Sequence, residues 1–182
     1  DLGILYAGVP CACAGVFTTN QIKSPSIVLT RKHVRKGTVR AVVANSGIAN
    51  TSVGDPGRKD ADEVTRLAAA QLGLLKEEVG FLSTGIIGVE LPMALIRTAL
   101  PKIQLSSSGG SDFARAIMTT DTHPKELAVA YDFGGRTVTI GGVAKGSGMI
   151  HPNMATMLCV VATDARVGNA FLQRAIRYAA DH

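Results

Sequence analysis

Between Asp55 and Gly73 the apolar residues Ala61, Val64, Leu67, Ala68 and Leu72 recur at the spacing of one helix face, whereas the flanking segments switch to short β-rich runs. This change of period constrains the fold more than any other feature, because a helix with one apolar stripe must lay that stripe on another element. Asp55 fits as its cap with Pro56 at the first helical position, and Gly73 marks its end.

Upstream, Asp1-Leu-Gly-Ile-Leu-Tyr6, Val16-Phe17, Ser26-Ile-Val-Leu-Thr30 and Thr38-Val-Arg-Ala-Val-Val43 are expected to be strands, separated by Gly, Pro and Asn. Downstream, Val79-Gly-Phe-Leu-Ser83 predicts a strand that runs into a turn at Thr84-Gly85. A helix is expected from about Leu91, with Pro92 in its first turn and Pro101 near its end. Ser106-Ser-Ser-Gly-Gly110 reads as a surface linker, and Asp112 as the cap of a short helix reaching Met118. Glu126–Tyr131 and Arg136–Ile140, joined by Asp132-Phe-Gly-Gly135, form a predicted hairpin. Met157–Val161 reads as a buried strand. Asn169 caps a last helix with Phe171, Leu172, Ala175, Ile176 and Ala179 on one face. Strands and helices mix throughout, with no repeat and no interdomain linker, so residues 1–182 are expected to form a single α/β domain.

Composition narrows the function classes. The chain is 46% hydrophobic and 18% charged, as an ordinary globular protein is. No apolar run approaches the roughly 20 residues that span a bilayer, so no membrane span is expected. The opening residues lack the basic-then-apolar pattern of a signal peptide. A chain that opens in mid-strand and stops at His182 within a helical pattern reads as part of a longer polypeptide. Cys11, Cys13 and Cys159 are an odd number, which argues for a reducing compartment rather than a disulfide framework. Cys11 and Cys13 have no second pair at metal-ligand spacing, and as strand neighbours they read as small buried side chains. The net charge of +5 is concentrated in Arg31-Lys-His-Val-Arg-Lys36, with Arg40 nearby. With 4% aromatic residues and none interleaved there, a platform for nucleic-acid bases is missing. The run reads as a solvated connection between two strands, and the positive field favours anionic small substrates.

The residues that bear on chemistry cluster late in the chain. Gly141-Gly-Val-Ala-Lys-Gly-Ser-Gly148 resembles part of a phosphate-binding loop, but neither that motif nor the dinucleotide fingerprint is complete. A Pro152-Asn153 turn then delivers the small Ala155 and Thr156 ahead of a strand. The Thr156 hydroxyl could attack the Ala155 carbonyl if the turn strains that peptide and donors stabilise the oxyanion. Hydrolysis of the resulting ester would free an α-amine, whose ordinary pKa of about 8 suits it to act as a base for its own hydroxyl. A Thr at this boundary is usually a plain strand residue, and the residues alone leave both readings open. His151 precedes a proline and reads as a turn residue, not a member of a Ser/Thr–His–Asp triad.

The segment Lys145-Gly-Ser-Gly-Met-Ile-His-Pro-Asn-Met-Ala-Thr-Met-Leu158 resembles the processing segment of the ornithine acetyltransferase family, the bifunctional glutamate N-acetyltransferases. Four further stretches are similar to family motifs in the same order: Ala14-Gly-Val-Phe-Thr-Thr-Asn20, Val43-Ala-Asn-Ser-Gly-Ile-Ala-Asn50, Ser83-Thr-Gly-Ile-Ile-Gly88 and Ala116-Ile-Met-Thr-Thr-Asp-Thr122.

The resemblance implies a layered sandwich of mixed sheet and helix, not a Rossmann fold. It implies a self-cleaving enzyme of arginine biosynthesis, with the scissile bond at Ala155-Thr156 and Thr156 as nucleophile. An α chain would cover residues 1–155, and residues 156–182 would begin a β chain. By the same match, Thr84 and Gly85 form the oxyanion hole, and Thr119 and Lys145 bind the amino-acid substrate. Asp121 and Thr122 are weaker candidates, equally explained as caps of a local turn. The implied reaction moves acetyl from N-acetylornithine to glutamate through an acetyl-Thr intermediate. No cofactor or metal is required, although acetyl-CoA replaces N-acetylornithine in bifunctional members. The implied assembly is an α2β2 heterotetramer or higher, in the cytoplasm or, in a eukaryote, the mitochondrial matrix. Two other functions are compatible with the residues: a self-processed Thr-nucleophile aminopeptidase or amidase, and a non-catalytic module that binds polyanions through Arg31–Arg40.

Overall fold

The structure is a computed structural model that describes residues 1–146 and 157–182. Two three-stranded sheets and five α-helices make up these residues. In the first sheet β1 (Leu2–Tyr6) runs antiparallel to β2 (Ala41–Ile48), and β2 runs parallel to β3 (Val79–Ile86), in the order β1-β2-β3. The second is an antiparallel meander of β4 (Lys125–Asp132), β5 (Thr137–Lys145) and β6 (Leu158–Thr163). Such mixed and antiparallel sheets exclude a doubly wound parallel architecture.

The expected helix is α2 (Gly54–Leu72), and Gly73 ends it in the left-handed conformation with φ +64°. Its stripe of Ala61, Val64, Ala68 and Ala69 packs on Ala41, Val43, Val79 and Phe81 of the first sheet, with Met93 and Ile96 of α3 (Met93–Ala99) closing the cluster. Side chains alternate across a strand. Val42, Ala44 and Leu82 therefore face the other way, onto Phe113 of α4 (Gly110–Ala116) and the adjoining Ile117. Val143 and Val160 of the second sheet join this second cluster, so it is where the two sheets meet. Gly3 lets α4 come close: a Cβ there would lie 3.0 Å from the Phe113 ring.

Several expectations are corrected. Ser26–Thr30 is not a strand, and Arg31–Lys36 is not a connection between strands. Both belong largely to α1 (Pro25–Val34), capped by Ser24, whose hydroxyl accepts the Ile27 amide at 3.2 Å. The Ser-Pro start and the basic last turn of Arg31, Lys32 and His33 suit a helix, and they outweigh the β-branched content. The decisive contribution is tertiary. Thr30 Oγ1 donates to the Phe81 carbonyl and accepts its amide, both at 2.8 Å, and His33 Nδ1 meets the Val79 carbonyl at 2.7 Å. Polar residues on α1 thus satisfy the free backbone edge of β3.

No strand forms at Val16-Phe17, and Cys11 and Cys13 are part-buried outside any named strand, flanking a lone bridge from Ala12 to Thr38. Asn169 opens α5 (Asn169–Asp181) instead of capping it, and its amide donates to the carbonyls of Cys13 and Gly37. The linker read at Ser106–Gly110 ends as the first residue of α4, and Asp112 lies inside that helix's first turn. Among the described residues no helix is long and apolar enough to cross a membrane.

Candidate active site

Parallel pairing of β2 and β3 continues to Ile48 and Ile86, placing Thr84 opposite Ser46 and Gly85 opposite Gly47. The turn expected at Thr84-Gly85 is therefore a continuation of the strand. What looked like turn chemistry is a close approach of two backbones. Gly85 has φ +133°, and a Cβ there would lie 2.3 Å from the carbonyl carbon and oxygen of Gly47. Only glycine accommodates both constraints.

Lys145 is the last residue of β5 and is 5% exposed. Its Nζ donates to Thr84 Oγ1 at 3.1 Å and to Thr119 Oγ1 at 3.0 Å, across 61 and 26 residues of chain. It is not the solvated loop charge that its glycine neighbours also suggest. An ammonium is a donor only, so it takes acceptor lone pairs of both hydroxyls. The hydrogen of each hydroxyl then points away from Lys145, towards any other acceptor. Burial lowers the Lys145 pKa; the negative charge of Asp121 opposes this and the positive charge of Lys125 reinforces it.

Asp121, the weaker candidate of the Thr-Thr-Asp-Thr stretch, is central. Its side chain is 1% exposed and accepts from Lys125 Nζ at 2.7 Å, the Gly146 amide at 2.9 Å and the Thr119 amide at 3.3 Å. Burial works to raise its pKa, but these donors outweigh burial and hold the carboxyl well below the usual carboxylate range. The local-turn reading accounts for the Thr119 bond alone. The other two partners are Lys125, four residues on at the start of β4, and Gly146, just past the end of β5 and 25 residues away. Among the described residues the Thr122 side chain bonds only to His123, and it lies exposed.

Gly85 and Thr119 line an open cleft of about 500 Å³, together with Asp1, Ser46, Gly47 and Met118. Its lining combines the charged Asp1, the hydroxyls of Ser46, Thr119 and Thr120, the backbone of two glycines and the apolar side chains of Ile86 and Met118. Register pairs Lys145 with Leu158, and the Cβ position of Gly146 comes within 3.9 Å of Met157 Cγ. The described ends of the Gly-rich segment thus meet beside Lys145. Ala155, Thr156 and His151 lie outside the described residues. Among those described, no group of three or more His, Cys, Asp or Glu is placed to hold a metal ion. Gly141–Lys145 belongs to β5, so the resemblance to a phosphate loop ends there.

The arrangement joins Thr84-Gly85, Thr119 and Lys145 from three separate motifs, and the model of the ArgJ family matches residues 1–182. The chain belongs to the ArgJ family. It is 54% identical to the arginine biosynthesis bifunctional protein ArgJ of Symbiobacterium thermophilum and 48% identical to that of Geobacter sulfurreducens. Both matches take in 100% of this chain but 46% and 47% of those proteins, so the chain spans about half the length of these ArgJ relatives. The crystal structure of ArgJ from Bacillus halodurans superposes with a TM-score of 0.81 at 37% identity, over 87% of this chain and 83% of that one. Ornithine acetyltransferase from Mycobacterium tuberculosis, crystallised with ornithine, gives 0.76 at 34% identity, over 89% and 84%. The layered fold of mixed sheet and helix is the one these ArgJ-type structures share.

Proposed function

We propose that this chain forms the amino-terminal part of an acetyltransferase of arginine biosynthesis that moves acetyl from N-acetylornithine to glutamate. Membership of the ArgJ family supports the reaction class. The observation that carries the site assignment is Lys145 bridging Thr84 and Thr119.

In this reading the Thr156 hydroxyl attacks the Ala155 carbonyl, and water hydrolyses the ester. Ala155 is left with a carboxylate and Thr156 with a free amine. Residues 1–155 then constitute the α chain of a single α/β domain, and residues 156–182 open the β chain, the two assembling as α2β2 or higher. The freed amine takes the proton from Thr156 Oγ as it attacks the acetyl carbonyl. Thr84 offers its O–H, and Gly85 its N–H, to the developing oxyanion, since Lys145 already occupies the acceptor side of Thr84. One such donor is worth a factor of about 10² to 10³ in rate. Collapse expels ornithine, whose amine recovers the proton, and leaves acetyl-Thr156. The amine of glutamate then attacks this ester, restoring the hydroxyl. Lys145 and Thr119 hold the substrate carboxylate, and acetyl-CoA serves as a second acetyl donor in a bifunctional enzyme. No cofactor takes part.

Intact mass spectrometry of the full-length protein beside Thr156→Ala tests the proposal. Two wild-type fragments are expected, the second beginning Thr-Met-Leu-Cys, with the variant uncut and inactive in acetyl transfer. A wild type that transfers acetyl while remaining whole would refute the processing step. Hydrolysis of acyl substrates without transfer to glutamate would instead select an amidase.

A further inference from the structure

We propose that Asp121 is the positioning residue that ties substrate binding to the start of the processing segment, through one buried carboxylate. This proposal rests on the acetyl-transfer reading above. Asp121 itself touches no reacting atom in it.

Three observations converge on this residue. Its Oδ2 accepts the amide of Thr119, and so orients the residue whose hydroxyl is held by Lys145. Its Oδ1 accepts the amide of Gly146, the residue directly after Lys145, whose φ of +157° turns the chain out of β5. The same oxygen accepts Lys125 Nζ at the start of β4. A side-chain carboxylate that is 1% exposed and accepts from three donors is held in one orientation, since rotating it would break those bonds. Asp121 thereby fixes both partners of the Lys145–Thr119 bond: the Thr119 main chain on one side and the strand end that carries Lys145 on the other. Its charge also offsets the burial of the Lys145 ammonium. An amide in its place would turn an N–H₂ towards at least one of the three donors and remove that charge.

The test uses full-length wild type, Asp121→Asn, Asp121→Glu and Lys125→Ala, with processing followed by mass spectrometry and acetyl transfer assayed on the processed fraction. For Asp121→Asn, processing about tenfold slower is expected, with KM for N-acetylornithine raised about tenfold and kcat changed less than about threefold. Lys125→Ala leaves the Thr119 and Gly146 bonds in place and is expected to move KM less than about threefold. If Asp121→Asn does not fold, Asp121→Glu keeps the charge but displaces the carboxylate, and the same direction of change in processing and KM is expected.

Wild-type processing and KM in either Asp121 variant would overturn the proposal while leaving acetyl transfer intact. Lys125→Ala reproducing the full Asp121→Asn effect would also overturn it, by reducing Asp121 to half of an ion pair. A wild type that neither cuts itself nor transfers acetyl would overturn the acetyl-transfer reading, and this one with it.

Discussion

Gly85 shows how one residue type serves two ends at the site. It lies where the β2 backbone at Gly47 leaves no room for a Cβ and is next to the hydroxyl that Lys145 engages. Gly85→Ala would set a methyl group 2.3 Å from the Gly47 carbonyl at φ +133°, so the strands must part. A loss of about 2–4 kcal/mol is expected in urea unfolding, the size associated with backbone strain plus overpacking. Gly88→Ala is the control: at φ +78° with nothing within 4 Å of its Cβ, only the left-handed backbone cost of about 1–2 kcal/mol applies. A Gly85→Ala loss no larger than that of Gly88→Ala would contradict the close-approach account. Thr84, Gly85, Thr119 and Lys145 were legible as candidates because each sits in a recognisable motif. Asp121 was legible only as a polar residue near a turn, since its bond to the Gly146 amide is made across 25 residues of chain.

At the scale of elements, α1 is the instructive case. Thr30 and His33 replace the neighbouring strand that β3 lacks on its outer edge. Thr30→Val keeps the shape but removes the hydroxyl bonded to the Phe81 amide and carbonyl, leaving buried backbone groups unpaired. A cost of about 1–3 kcal/mol is expected in denaturant unfolding, with faster hydrogen exchange at the Phe81 amide. Unchanged exchange there would show that the helix does not close the edge. Ile27, Val28 and Thr30 carry genuine strand preference, and the segment is helical because its capping and its buried polar stripe of Ser26, Thr30 and His33 favour that state together. By contrast, α2 was plain from its period alone, because its apolar stripe is long enough to outweigh local preferences.

At the scale of the whole molecule, the two sheets are held together by the cluster of Phe113, Ile117 and Ala44, joined by Val143 and Val160. Phe113 is 4% exposed, and Phe113→Ala is expected to cost about 3–5 kcal/mol, measured by denaturant unfolding. The Lys145 bridge spans the same junction, so acetyl transfer should fall further than the lost stability alone explains. A variant that is destabilised but processes and transfers acetyl like wild type would uncouple the junction from the site. The sequence by itself determined the mixture of strands and helices, the long helix, the hairpin and the motifs that mark the site, because periodicity, caps and turn residues act over a few neighbouring positions. Only the tertiary structure decided that α1 is a helix, that Thr84-Gly85 extends a strand, and that Asp121 and Lys145 are buried partners of groups far along the chain. Those outcomes depend on satisfying backbone edges and buried charges across distant segments, and such pairings leave no local pattern.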